Sequence, residues 1–251
     1  MELYWIIIFF ILGVIFGSFF NVVGLRSPKN LTFIQYPSHC PHCNKTLRWY
    51  ELIPLLSFLW QRGTCKNCQA RISPMYPVIE LVTGILFLYS YFQIGFQTEL
   101  ITAFLFISLL VIITVSDVAY MLIPNKIILF FLPLLIISRI ISPLTPWYDM
   151  IIGAVVGYTT IALIIVLSRG GMGAGDMKLF FILGIVLGWK EVLFTLFLAS
   201  LLGACIGLIL RFLQKVGRRQ PIPFGPYIAL AAIISYFHGD ALISAYLELI
   251  I

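Results

Sequence analysis

The chain has 251 residues, of which 61% are apolar and only 10% charged. A water-soluble domain of this size is nearer half apolar and a quarter charged, so composition excludes a soluble globular protein and points to an integral membrane protein. The net charge of +6 then belongs to lipid headgroups and topology rather than to nucleic acid.

The first apolar run, Tyr4 to Leu25, has no basic n-region and no small-residue cleavage site, so it is expected to stay as a helix rather than be removed as a signal. Runs near twenty residues can cross about 30 Å of hydrocarbon. Eight are predicted, at roughly 4–25, 76–96, 100–117, 127–142, 150–168, 178–189, 192–213 and 226–248. The sixth is short. The eighth contains His238-Gly239-Asp240 and is expected to break there, its last residues lying along the interface.

Charge tests this count. With the N-terminus outside, fourteen of the 16 Lys and Arg residues fall on the inner side: Arg26, Lys29, Lys45, Arg48, Arg62, Lys66, Arg71, Lys126, Arg169, Lys178, Arg211, Lys215, Arg218 and Arg219. Arg139 and Lys190 remain on the outer side. This bias predicts both termini outside, in an inner, or cytoplasmic, cell membrane. The chain divides into a first helix (1–25), a cytoplasmic module (26–75) and a helical membrane domain (76–251).

The module holds two C-x-x-C knuckles, Cys40-Pro41-His42-Cys43 and Cys65-Lys66-Asn67-Cys68. Two such knuckles complete a tetrahedral thiolate site, of which zinc is the usual occupant. Disulfides or free thiols are the alternatives, the former disfavoured because thiols on the cytoplasmic side stay reduced. Four thiolates leave no open position for water, so the site is expected to be structural. The basic module lies beside a membrane and lacks a recognition helix, so no nucleic-acid partner is expected.

Asp117 ends the apolar run Leu109–Ser116 and precedes the helix-stopping turn Ile123-Pro124-Asn125. Asp176 follows Gly170-Gly171-Met172-Gly173-Ala174-Gly175, where glycines permit close backbone approach. By the predicted topology both acids fall at cytoplasmic ends of helices. Either alone could be a helix cap. Together they suggest a pair sharing one proton, in which one carboxylate activates water and the other polarises a scissile carbonyl. Ionisable groups at membrane depth are functional candidates. Lys178 either sets the charge state of Asp176 or anchors its helix at the interface. The Gly171-x-Gly173-x-Gly175 series has no preceding strand and does not read as a nucleotide-binding turn.

These residues resemble the type IV prepilin peptidase family of bifunctional leader peptidases and N-methyltransferases. Gly17-Ser18-Phe19-Phe20-Asn21-Val22 with Arg26 and Pro28 is similar to the family's N-terminal signature. The paired knuckles followed by Ile72–Gly84 resemble its cytoplasmic insertion and the next helix, and Asp117 with the Gly171–Lys178 run resembles its two G-x-G-D-type aspartate motifs. Pro223-Phe224-Gly225-Pro226 resembles a further family turn. The resemblance implies an all-α, polytopic fold of about eight transmembrane helices. Asp117 and Asp176 are then catalytic, supported by Gly173, Gly175 and Lys178. The activity implied is cleavage of the leader of prepilins or pseudopilins on the cytoplasmic side, then methylation of the new N-terminus with S-adenosylmethionine. Type IV pili, competence and type II secretion would each use the product. For methyl transfer or substrate binding it implicates Gly17, Ser18, Asn21, Arg26, Glu80 and Gly84. Gly17 and Ser18 could equally be a helix-packing face. The competing reading is a non-enzymatic membrane assembly factor with a structural zinc module, which leaves the glycine-rich lead into Asp176 unexplained.

Overall fold

The computed structural model describes residues 2–31, 37–213 and 222–250. Among these the chain is helical, apart from turns, loops and two isolated antiparallel bridges, His39 with Thr46 and Thr64 with Arg71. The helices are α1 (Glu2–Arg26), α2 (Leu56–Trp60), α3 (Met75–Ile94), α4 (Glu99–Tyr120), α5 (Asn125–Ile141), α6 (Asp149–Leu167), α7 (Ala174–Leu187), α8 (Trp189–Phe212) and α9 (Gly225–Ile250). All but α2 follow the predicted apolar runs. Among the described residues six are long and apolar enough to cross a membrane, namely α1, α3, α4, α6, α8 and α9. Helices α5 and α7 have 17 and 14 residues. The molecule is an all-α, multi-pass membrane protein. Of the cations used to predict topology, Lys215, Arg218 and Arg219 lie outside the described residues.

The chain forms two compact units, Met1–Phe96 and Gln97–Ile251. In the first, α1 and α3 pack antiparallel through glycines. A Cβ on Gly17 would meet the Cα of Glu80 at 2.9 Å, and one on Gly13 would meet the Cα of Gly84 at 2.8 Å. Small residues let backbones approach where no hydrophobic drive between helices exists. Farther along the pair, Phe9 stacks on Tyr91 with ring centroids 4.8 Å apart, and Trp5 meets Phe96 edge-on at 4.6 Å.

The second unit is built around α4. Phe106, Ile107, Leu109, Leu110 and Ile113 are completely enclosed, as expected of a helix apolar all round. Helix α9 runs antiparallel to it, with the Phe106 and Tyr236 rings at 5.4 Å. Helices α6 and α7 cross closely at Gly153 with Gly184, and at Gly157 with the Phe180 backbone. Gly188 alone joins α7 to α8 at φ +92°, where any side chain would strike Asp149.

The predicted break in the last helix does not occur. Helix α9 continues through His238-Gly239-Asp240. Glycine costs a helix only about 1 kcal/mol and removes no hydrogen bond. Gly239 also earns its place by making room for Glu191, whose Cγ would lie 3.0 Å from a Cβ there.

Candidate functional site

Asp117 lies one turn before the end of α4 and is buried. Met121 terminates the helix in a left-handed conformation, and the Ser116 hydroxyl donates to the Leu122 carbonyl at 2.6 Å, fixing the turn. The Gly225 N–H, first of α9, donates to Asp117 Oδ2 at 2.6 Å, and the Phe224 backbone adds a second contact. The space is tight. A Cβ on Gly225 would lie 2.8 Å from that same oxygen. Asp117 therefore occupies the N-terminus of α9, where unpaired N–H groups and the helix dipole favour negative charge.

Asp176 is half-buried in the first turn of α7, and its Oδ2 accepts the Gly173 N–H at 3.1 Å. The capping role suspected from sequence is thus real. It coexists with the second feature, that the charge of Asp117 acts on Asp176. Two further ties close this end of the unit. Ile123 packs on Gly175, where a Cβ would be 3.0 Å from its own, and Lys178 Nζ donates to Asn125 Oδ1 at 2.8 Å. Lys178 thus bonds a neutral amide on α5. Gly170 at φ +90° turns the loop before this helix, and Gly173 is its N-cap in extended conformation.

The opposite end of the same helices is pinned by charge. Arg139 on α5 pairs with Glu99 of α4 at 2.8 Å and donates to the Val186 carbonyl of α7 at 2.6 Å. Ser142 and the Tyr236 hydroxyl also donate to Glu99. Eighteen residues of α4 separate Glu99 from Asp117, about 27 Å at 1.5 Å per residue, close to the ~30 Å hydrocarbon thickness.

In the first unit the four sulfurs of Cys40, Cys43, Cys65 and Cys68 lie within 4.8 Å of one another, all as free thiols. Cys40 and Cys68 sulfurs are 3.8 Å apart, which is about the edge of a tetrahedron with 2.3 Å metal–sulfur bonds. The donor set fits a metal ion. The knuckles repeat one backbone design. Cys40 N–H bonds the Lys45 carbonyl and Asn44 N–H the Cys40 carbonyl, as Cys65 N–H bonds Ala70 and Gln69 N–H bonds Cys65. Asn44 and Gln69 take the same left-handed conformation. Hydrogen bonds from the Lys45 backbone and the Asn67 side chain bring the Cys43 thiol down to about 6. The Ala70 backbone pulls Cys68 down too, but burial and the neighbouring sulfurs push it up to about 11. Four adjacent thiolates without a cation would repel, so ionisation is unevenly shared.

The residues singled out in α1 and α3 meet at one end of that pair. Glu80 is buried and accepts the Leu55 N–H at 2.8 Å, with Ser18 as a second partner. Asn21 donates to the Tyr76 carbonyl at 3.2 Å, while its own Oδ1 and the Ser27 hydroxyl are buried without partners. Gly17 and Gly84 both serve the helix contact, which for Gly17 is the packing role that sequence left open. Arg26 ends α1.

The family model for the bacterial peptidase A24 N-terminal domain matches residues 11–94, and that for the type IV leader peptidase family matches residues 104–208. The chain belongs to the type IV leader peptidase family. A prepilin leader peptidase/N-methyltransferase of Bacillus subtilis (strain 168) is 46% identical over 242 residues, covering 96% of this chain and 98% of the relative. Proteins of the same description from Stutzerimonas stutzeri and Aeromonas hydrophila are 34% and 35% identical, each covering 95% of this chain and 92% of the relative. No solved structure matches. The two leader peptidase matches fall one in each compact unit. Nothing in the sequence alone assigns the Gly225 and Phe224 backbone to Asp117, or Asn125 to Lys178. The Pro-Phe-Gly-Pro turn ahead of an apolar run was the available signal for a helix N-terminus.

Proposed function

We propose that this chain is a membrane aspartyl endopeptidase that removes the leader of prepilins or pseudopilin-like substrates on the cytoplasmic side, then N-methylates the new N-terminal residue with S-adenosylmethionine as methyl donor. Eight helices cross the inner membrane, both termini lie outside, and the cysteine module faces the cytoplasm with zinc on Cys40, Cys43, Cys65 and Cys68. Residues 76–251 make up the peptidase domain. The observation that carries the reading is the placement of two carboxylates at helix ends opposite the Arg139 cluster: Asp117 at the N-terminus of α9 and Asp176 in the first turn of α7, with Ile123, six residues after Asp117, packed on Gly175 beside Asp176.

The roles follow from the donors around each acid. Asp117, with the α9 N-terminus on its Oδ2, is better provided for negative charge and takes the proton from the attacking water. Asp176 keeps the shared proton and polarises the scissile carbonyl. Lys178 and Asn125 fix α7 against α5, Gly175 lets Ile123 pack against the first turn of α7, and Gly173 holds the Asp176 carboxylate through its N–H. When bound, S-adenosylmethionine supplies an electrophilic methyl group. Glu80, Ser18, Asn21 and Arg26 offer the polar groups that would hold an ammonium or carboxylate near it, and the unpartnered Asn21 Oδ1 and Ser27 hydroxyl fit such a ligand.

Purified protein mixed with a prepilin, with and without S-adenosylmethionine, tests both activities. Mass spectrometry of the product N-terminus is expected to show cleavage in both reactions and methyl addition in one. Intact prepilin in both overturns the assignment.

A further inference from the structure

The cysteine module carries an apolar surface that neither the thiolates nor the aspartates use. Trp49 is 78% exposed, Leu59 68% and Trp60 70%, and Leu52 and Leu56 beside them are also bare. Leu56, Leu59 and Trp60 share one face of α2 at 3.6 residues per turn. Phe58 points the other way, its ring tip 3.1 Å from where a Cβ on Gly63 would be. Just upstream, Trp49–Leu52 form a 3-10 turn in which Glu51 folds back to accept the Arg48 N–H at 2.8 Å. Scattered exposed apolar residues need no explanation, but a contiguous set marks a covered surface.

One hydrogen bond fixes where this face is held. The Leu55 N–H donates to Glu80 Oε2 at 2.8 Å. Glu80 lies five residues into α3, about 8 Å along a helix that is long and apolar enough to span. Leu55 takes φ +60° and ψ −52°, and Leu56 N–H reaches back to the Pro54 carbonyl at 2.6 Å. This is the rare, strained form of γ-turn. It bends the chain so that α2 starts beside the second turn of α3. The module also exposes the cations Arg48, Arg62, Lys66 and Arg71, two of which, Arg48 and Lys66, reach the side chain of Tyr50 next to Trp49, with the sign that anionic headgroups attract.

We propose that residues Trp49–Trp60 are a monotopic membrane anchor. They lie in the boundary between headgroups and acyl chains of the bilayer that α1 and α3 enter, with Trp49, Leu59 and Trp60 inserted and the basic side chains at lipid phosphates. The partner is the lipid surface itself, and the effect is to press the cysteine centre against the membrane.

The chain has five tryptophans. Full-length proteins keeping only Trp49 or only Trp60, the others replaced by Phe, are reconstituted in vesicles of zwitterionic and anionic phospholipid carrying bromine in the upper acyl chain. Bromolipid is expected to quench roughly half or more of each emission, as for a boundary-inserted indole, while aqueous acrylamide quenches weakly. Strong acrylamide quenching without bromolipid quenching overturns the proposal by placing the face in water. Shielding from both overturns it by placing protein there, a second copy included. Leu56→Ser with Leu59→Ser in the Trp60-only protein should weaken bromolipid quenching at least about twofold by removing apolar insertion. Unchanged quenching with an unchanged proteolysis pattern would also overturn it. If that variant misfolds, the two single-tryptophan proteins still decide.

Discussion

Asp117 and Asp176 each sit at a helix N-terminus, α9 for the first and α7 for the second. This arrangement reconciles two opposing demands. Low dielectric at a membrane edge penalises charge, while unpaired N–H groups supply fixed partial positive charge without a counter-ion that would collapse the pair. Substituting Asn at either position keeps shape and most hydrogen bonds but takes away the titratable carboxyl that the proposed mechanism requires. Asp117→Asn and Asp176→Asn are each expected to slow leader cleavage by roughly 10²–10⁴-fold, the usual yield of general acid–base catalysis, with normal membrane insertion. Initial rates on a purified prepilin check this, and a variant that cuts at near wild-type rate removes that residue from the pair. Glu80 is a different kind of acid. It holds Leu55 and contacts Ser18, all within the first unit. Glu80→Gln is expected to abolish methylation while leaving cleavage normal, read by product mass, and undiminished methylation would end its proposed role.

Helices explain which of these features sequence could reveal. Acids stand out in a chain that is only 10% charged, and paired C-x-x-C spacing has few other uses, so Asp117, Asp176 and the four cysteines were legible. Backbone donors were not, because every residue but proline has an N–H and only the fold says that Gly225's meets Asp117. Nor could spacing tell that Gly17 and Gly84 make room for helix contact, or that Gly239 sits comfortably inside α9. The matching hydrogen bonds of the two knuckles are likewise not visible in sequence, since beyond the cysteines their residues differ. Arg139, expected as an outer-side cation, also joins α4, α5 and α7 through Glu99 and the Val186 carbonyl. Breaking a buried pair leaves a charge without compensation. Arg139→Met is therefore expected to destabilise the second unit by about 3 kcal/mol. Adding Glu99→Gln should recover part of that loss. Thermal unfolding in detergent measures both, and an unchanged midpoint in Arg139→Met would show that the cluster is not structural.

The molecule as a whole consists of two compact units with separate cores, and the family matches respect the division. Its two proposed activities should then respond differently to loss of metal. The cysteine module is too small to have much of a core, and metal binding would contribute directly to its folding. Protons compete with metal for the thiolates. The Lys45 backbone and the Asn67 side chain favour the thiolate form of Cys43, and metal is expected to leave as acid protonates the four sulfurs. The second unit folds around α4 and its Arg139 cluster and contains none of the four ligands. Cys40→Ser with Cys65→Ser is accordingly expected to abolish bound zinc and methylation while cleavage stays within about tenfold of wild type, a difference of ~1.4 kcal/mol or less in transition-state stabilisation. Metal analysis of the purified variant, with both activities assayed on one prepilin, distinguishes the outcomes. Equal loss of cleavage and methylation would mean that the peptidase unit depends on the module, and retained methylation without metal would mean that the thiolate centre serves neither reaction.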